Sequence, residues 1–302
     1  MKSSWNESEA KKLNNDPLKL RVYTSRLLGI EEDLVLHGGG NTSVKTKEKN
    51  IFGEEEDIIY VKGSGWDLAT IEEAGFAPVK LKTLLQMAEL TALNDAEMVK
   101  YQRMAMTNPA APTPSVEAIL HAIIPFAFVD HTHADAVVTI SNSRDGEKRL
   151  NDLYGERILI VPYVMPGFIL AKQIYELTKN IDWRKIDGII LQHHGVFTFH
   201  DDPKVSYERM IEIVSKAEDF LEKNANLNIK PSGDRSADPL RVARLRKQVS
   251  DVWRKPVLAH LDDSDISVMF SNHPALSRIA DQGPLTPDHI IRTKRTPLVL
   301  SD

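Results

Sequence analysis

The 302-residue sequence contains no cysteine. That excludes disulfides, thiolate nucleophiles, iron–sulfur clusters and Cys-type zinc sites. No apolar run approaches 18 residues. The greasiest stretch, 118–129, is broken by His121 and Pro125 and is too short to cross a bilayer. The first residues, MKSSWNESEAKKLNND, lack the apolar segment of a signal peptide, so a cytoplasmic protein with no membrane partner is expected. Neither sign of charge dominates: 38 basic residues stand against 43 acidic ones, a net charge of −5. That gives no reason to expect a nucleic-acid partner. Neither G-x-x-x-x-G-K-[ST] nor G-x-G-x-x-G occurs, which disfavours ATP and dinucleotide cofactors.

What is present reads as an α/β protein. Hydrophobic residues make up 42% and charged residues 27%, the balance of a globular chain. Helices are predicted over Leu18–Leu28, Leu81–Leu93 and from Pro114 with Ser115 as N-cap, the last stopped by Pro125. Further helices are predicted after Pro166-Gly167, after Asp201-Asp202-Pro203 with a 3.6-residue period at Tyr207, Met210, Ile211 and Val214, and over Leu240–Val252. Strands are predicted over Ile58–Val61, Phe126–His133, Ile158–Val161 and Ile189–Phe199, the last interrupted at Gly195. Several strands are too close in sequence for a crossover helix, so the sheet should be mainly antiparallel or mixed, with helices on both sides. The polar stretch Asn224–Asp238 marks a boundary. The expectation is a main domain over 1–228 and a smaller α/β extension over 229–302.

Three features carry chemistry. His131 and His133 are two apart in a predicted strand, so their rings share one side and can face one metal ion. A third ligand has to come from elsewhere, with His193 and His194 as candidates. Zinc suits imidazole ligands without thiolates. Asp130 and Asp135 flank the pair and could orient the rings or serve as ordinary turn acids. The second feature is a pair of glycine loops, 37–43 (HGGGNTS) and 62–65 (KGSG). With the start of the helix near Ser115, their N–H groups could cradle a phosphate, although such loops also serve as plain turns. The third is Glu117 at that helix start, either a proton carrier or an acid favoured there by the helix dipole.

The ordered set His37–Ser43, Lys62–Gly65, Pro114–Glu117, His131–Asp135 and His194–Val196 resembles the class II aldolase/adducin family, over about residues 20–225. The resemblance implies a three-layer αβα sandwich around a mainly antiparallel sheet, usually assembled as a homotetramer with sites near subunit interfaces. It implies metal ligands His131, His133 and His194 rather than His193, a zinc ion, and Glu117 as acid/base. Asn41 and Thr42 match the first substrate loop, Ser64 and Gly65 the second phosphate loop, and Ser115 the third. Val116 departs from the pair of small hydroxyl residues that some sugar-phosphate aldolases carry there.

A closer resemblance is to long two-part proteins that join a rhamnulose-1-phosphate aldolase part to a short-chain dehydrogenase. It rests on Val161–Phe168, Gly283–His289 and Ile290–Arg295. The implied reaction is cleavage of a ketose 1-phosphate such as L-rhamnulose 1-phosphate to dihydroxyacetone phosphate and L-lactaldehyde. The family also contains epimerases and non-enzymatic adducin heads, and a decarboxylase or dehydratase could use the same groups. The chain ends at Asp302, as a piece of such a protein or as a shorter relative.

Overall fold

The computed structural model describes residues 1–224, 238–292 and 294–299. Its centre is a seven-stranded sheet built from β1 (Asn41–Lys49), β2 (Glu55–Lys62), β3 (Phe76–Lys80), β4 (Phe128–Thr132), β5 (Ile158–Val161), β6 (Gly188–Leu191) and β7 (Gly195–His200). The strand order is β3-β2-β1-β4-β7-β6-β5. Every neighbouring pair is antiparallel except β5–β6. The expected mainly antiparallel α/β sandwich is therefore the fold.

Helices cover both faces. In chain order they are α1 (Glu7–Lys12), α2 (Pro17–Gly29), α3 (Leu81–Glu89), α4 (Asp95–Met104), α5 (Ala118–Ile123), α6 (Asp135–Ser141), α7 (Gly146–Tyr154), α8 (Phe168–Thr178) and α9 (Pro203–Asn224). Helix α2 starts where it does because the Asp16 carboxylate accepts the N–H groups of Leu18 and Lys19 at 3.0 and 3.1 Å, with Pro17 in the first turn. Strands β6 and β7 are apolar at successive positions because both of their faces are buried. Ile190 and Val196 pack with Leu28, Val137, Tyr207 and Met210 on one face. Ile189 and Phe197 pack with Leu120, Leu170 and Ile174 on the other.

Several expected boundaries move. The predicted helix 81–93 ends at Glu89, and a separate helix, α4, begins at Asp95 behind an Asn94 cap. The helix predicted from Ser115 begins at Ala118, with Glu117 in the N-cap position. The strand predicted over Phe126–His133 is only Phe128–Thr132, leaving His133 just beyond it. The segment 189–199 is two strands joined by a tight reversal at 192–194.

The chain divides into two compact units, Met1–Asn224 with Pro284–Lys294, and Ala225–Gly283 with Arg295–Asp302. The expected boundary at 228/229 lies outside the described residues. Helix α13 (Pro287–Arg292) belongs to the first unit, whereas α10 (Pro239–Trp253), α11 (Asp265–Ser271) and α12 (Leu276–Ala280) belong to the second. The expected α/β character of the C-terminal extension is corrected: among the described residues after 237 there are helices and no strand. Short apolar runs such as Ile266–Phe270 look strand-like in isolation. Local caps turn them into helices, as where the Ser264 side chain accepts the Ser267 N–H at 3.3 Å.

Candidate functional site

The site lies where β4 meets β7 and β1. On β4, period-two alternation turns Val129 and His131 to one face and Phe128, Asp130 and Thr132 to the other. His133 follows the strand end and keeps the face of His131, with Nε2 of the two rings 3.2 Å apart. His194 enters from the reversal between β6 and β7. Gly195 makes that approach possible: a Cβ there would lie 2.2 Å from the Thr132 carbonyl oxygen and 3.0 and 3.1 Å from the His131 and His133 rings. The ligand atoms of the three buried histidines lie within 4.8 Å of one another.

The hydrogen bonds decide which ring nitrogens are bare. His131 Nδ1 faces the Val196 carbonyl at 3.0 Å, and His133 Nδ1 faces the Asp288 carboxylate. Both are acceptors, so both Nδ1 atoms carry a proton, and in the neutral form of the two rings both Nε2 atoms present lone pairs. Two lone pairs 3.2 Å apart repel unless a cation lies between them. Burial pushes His131 well below the ordinary imidazole value, with His133 and His194 adding to the effect. Burial pushes His194 down too, against the pull of the Glu117 carboxylate. Neutral imidazoles are the form that binds metal.

Glu117 closes the cluster. Its Oε2 accepts the Asn41 amide at 2.6 Å and lies 3.4 Å from His131 Nε2. Its Oε1 lies 3.6 Å from His194 Nε2, is buried, and has no hydrogen-bond partner among the described residues, like His194 Nδ1. A buried, unpaired carboxylate oxygen beside bare imine nitrogens fits a divalent cation. Asn41 is itself held by His121, whose Nε2 contacts the Asn41 amide oxygen and whose Nδ1 is 2.8 Å from Ser43 Oγ. Burial pushes His121 well below its usual range, against the pull of Glu117, so the ring is neutral.

A cavity of about 310 Å³ opens beside this cluster. Gly38–Asn41, Lys62–Gly65, Ser115–Glu117, His133 and His194 line it. The two glycine loops and the start of α5 therefore do converge. Their backbone donors are less available than expected. A bridge between Gly63 and Pro114 uses the Ser64 N–H on the Thr113 carbonyl (2.8 Å) and the Ser115 N–H on the Lys62 carbonyl (3.1 Å). Lys62 joins the two loops, donating from Nζ to the Gly38 and Gly40 carbonyls at 2.7 and 3.1 Å.

The family model for the class II aldolase and adducin N-terminal domain matches residues 19–221. The chain belongs to the class II aldolase and adducin family. The model for the aldolase class II second domain matches residues 237–302. Among relatives, the uncharacterized oxidoreductase YuxG of Bacillus subtilis (strain 168) is 34% identical over 312 residues. The alignment covers 99% of this chain, which spans 44% of that protein's length. The N-terminal class II aldolase domain of a conserved protein from Thermoplasma acidophilum is 42% identical, with a TM-score of 0.67 over 73% of this chain and 99% of that one. A sugar-phosphate aldolase from Thermotoga maritima shares the fold, with 14% identity and a TM-score of 0.50 over 70% of this chain and 98% of that one.

Within this class II aldolase-family chain, some expected residues lie elsewhere. Thr42 is buried on the opposite face of β1 from Asn41, its hydroxyl 2.8 Å from Ser25 Oγ, because neighbouring strand residues point to opposite sides. His193 turns out of the cluster in a left-handed conformation (φ 58°), its Nδ1 2.6 Å from the Asn142 amide oxygen. Asp130 does not orient the histidines; it meets Arg21 and Ser206 across the sheet. Asp135 heads α6, its N–H donating to the Asp33 carbonyl at 2.9 Å. The carboxylate on His133 is Asp288, a residue not singled out from the sequence.

Proposed function

We propose that this chain is a metal-dependent aldolase cleaving a ketose 1-phosphate such as L-rhamnulose 1-phosphate to dihydroxyacetone phosphate and L-lactaldehyde. The observation that carries the reading is the buried three-imidazole cluster beside the unpaired Glu117 Oε1, at the wall of a cavity lined by two glycine loops. In this reading His131, His133 and His194 hold the ion, and zinc is the ion proposed because all three ligands are imidazoles. When bound, the ion supplies positive charge for the carbonyl and hydroxyl oxygens on which negative charge develops.

The chain's own groups do the rest. The hydroxyls of Ser64 and Ser115 and the glycine backbone at Gly65 take the substrate phosphate. Lys62 holds the two loops at a fixed separation. Asn41 pins one oxygen of Glu117, leaving Oε1 to carry the proton. A base takes the proton of the C4 hydroxyl as the new C4 carbonyl forms, the C3–C4 bond breaks, its electron pair passes to C3, and Glu117, protonated beforehand, gives its proton to C3 and is left as the carboxylate. All of these groups lie in residues 1–228. The reading extends to a homotetramer working in the cytoplasm, as the family resemblance and the sequence suggest. Among the described residues no helix is long and apolar enough to cross a membrane.

Metal analysis combined with a screen of ketose 1-phosphates tests this directly. The expected result is one divalent ion per chain and release of dihydroxyacetone phosphate with an aldehyde. An isomeric sugar phosphate in place of two fragments would identify an epimerase instead. Full turnover by metal-free His133→Ala would reject the site.

A further inference from the structure

We propose that Asp288 is a positioning residue for the ligand His133, and that its single carboxylate couples that ligand to the first glycine loop. The proposal rests on reading the histidine cluster as a metal centre. Asp288 stands on α13, in the segment Pro284–Lys294 that packs into the first unit after the chain has left it at Asn224. It is 1% exposed. Both of its oxygens are used. Oδ1 accepts from His133 Nδ1, and Oδ2 accepts the Leu36 N–H at 2.7 Å.

The fit is close on the loop side. A Cβ at Gly39 would lie 1.8 Å from Asp288 Oδ1 and 2.6 Å from Oδ2. The first glycine loop therefore has a second reason for its composition: it must admit a carboxylate arriving from 155 residues beyond His133. A carboxylate on the far nitrogen of a ligating imidazole fixes the tautomer, fixes the ring plane and raises the basicity of the ligating nitrogen. Asparagine has one acceptor oxygen where two donors converge, so it cannot serve both His133 and Leu36.

A bland alternative is that Asp288 only fastens the segment to the domain. The two roles separate by experiment on the full chain. Zinc binding is measured by competition with a chromogenic chelator, and the visible spectrum of the cobalt-loaded protein reports ligand geometry. Wild type should take up one ion. Asp288→Asn should keep its fold by circular dichroism, bind zinc roughly 10–100-fold more weakly, and shift the cobalt bands. Thr286→Val, a buried change in the same segment, should leave affinity and spectrum unchanged.

Gly39→Ala keeps the carboxylate but crowds it, and should weaken binding in the same direction even if Asp288 variants fold poorly. Unchanged affinity in Asp288→Asn, unchanged affinity in Gly39→Ala, or an equal loss in Thr286→Val would overturn the proposal. A wild-type chain that takes up no ion would instead overturn the metal reading beneath it.

Discussion

The two faces of β4 bury ionisable groups in opposite ways. On one face Asp130 meets Arg21 and Ser206, and Arg21 also bonds Thr24 Oγ1 at 2.6 Å and Ser25 Oγ at 3.2 Å. Each charge there has an opposite charge and neutral partners beside it. On the other face, His131 and His133 turn bare nitrogens toward each other, and Glu117 keeps an oxygen with no partner among the described residues. Buried polar groups are ordinarily satisfied, because leaving one unpaired costs about 1–3 kcal/mol. The satisfied face is built like a structural core, and the unsatisfied face is the one to which the proposed ion is assigned.

The sharpest way to test this contrast is to change one face and measure both properties. Glu117→Gln removes the proton carrier and should lower turnover by roughly 10²–10⁴-fold, with metal content and melting temperature close to wild type. Turnover near wild type would show that Glu117 is not the carrier. Arg21→Met should do the converse. Breaking a buried pair from one side costs about 3–5 kcal/mol, measured by urea unfolding, while the metal content of the folded fraction stays the same. Replacing Asp130 by Leu in that variant should recover much of the loss, and failure to do so would mean that the pair is not what holds this face.

Loading and stripping the proposed ion tests the other face. Adding a divalent ion at about 100 times its dissociation constant should raise the stability of the chelator-treated protein by about 2.7 kcal/mol. His133→Ala should show no such gain, and a gain of equal size there would place the ion elsewhere. The smallest effect is expected at Asp135, where β4 hands over to α6. Burial, with Asp33 and Asp288 adding, pushes this carboxyl up to about 6. Its folded value lies above its ordinary one of 3.8, so its contribution to stability is complete only below that value and is lost as pH rises from there through 6. Asp135→Asn should therefore match wild type at about pH 3 and melt slightly higher at pH 8. Equal differences at both pH values would contradict this.

The parts of the site that were legible in the sequence are those that a local period determines. Period two brings His131 and His133 to one side, and three consecutive glycines rule out a helix at 38–40. The choice between His193 and His194 depends on a reversal whose left-handed residue is His193, and no periodicity reports that. The resemblance misled at Thr42, because a match to a loop motif says nothing about which side of β1 a residue takes. Pairing of the loop N–H groups follows from a bridge between Gly63 and Pro114, 51 positions apart, and is invisible locally. Asp288 gave no signal because an acid after a proline at a helix start reads as an ordinary first-turn residue. Its partner is known only once the chain has returned to the sheet.

That return has a consequence for how the protein matures. A nascent chain released as far as Asn224 already contains every strand of the sheet and all three histidines. Yet His133 then lacks its carboxylate, which comes with the later segment Pro284–Lys294 of the same unit. If the histidines hold an ion as proposed, a chain halted between Asn224 and Asp288 would carry the strands and the three ligands before the carboxylate that steadies one of them.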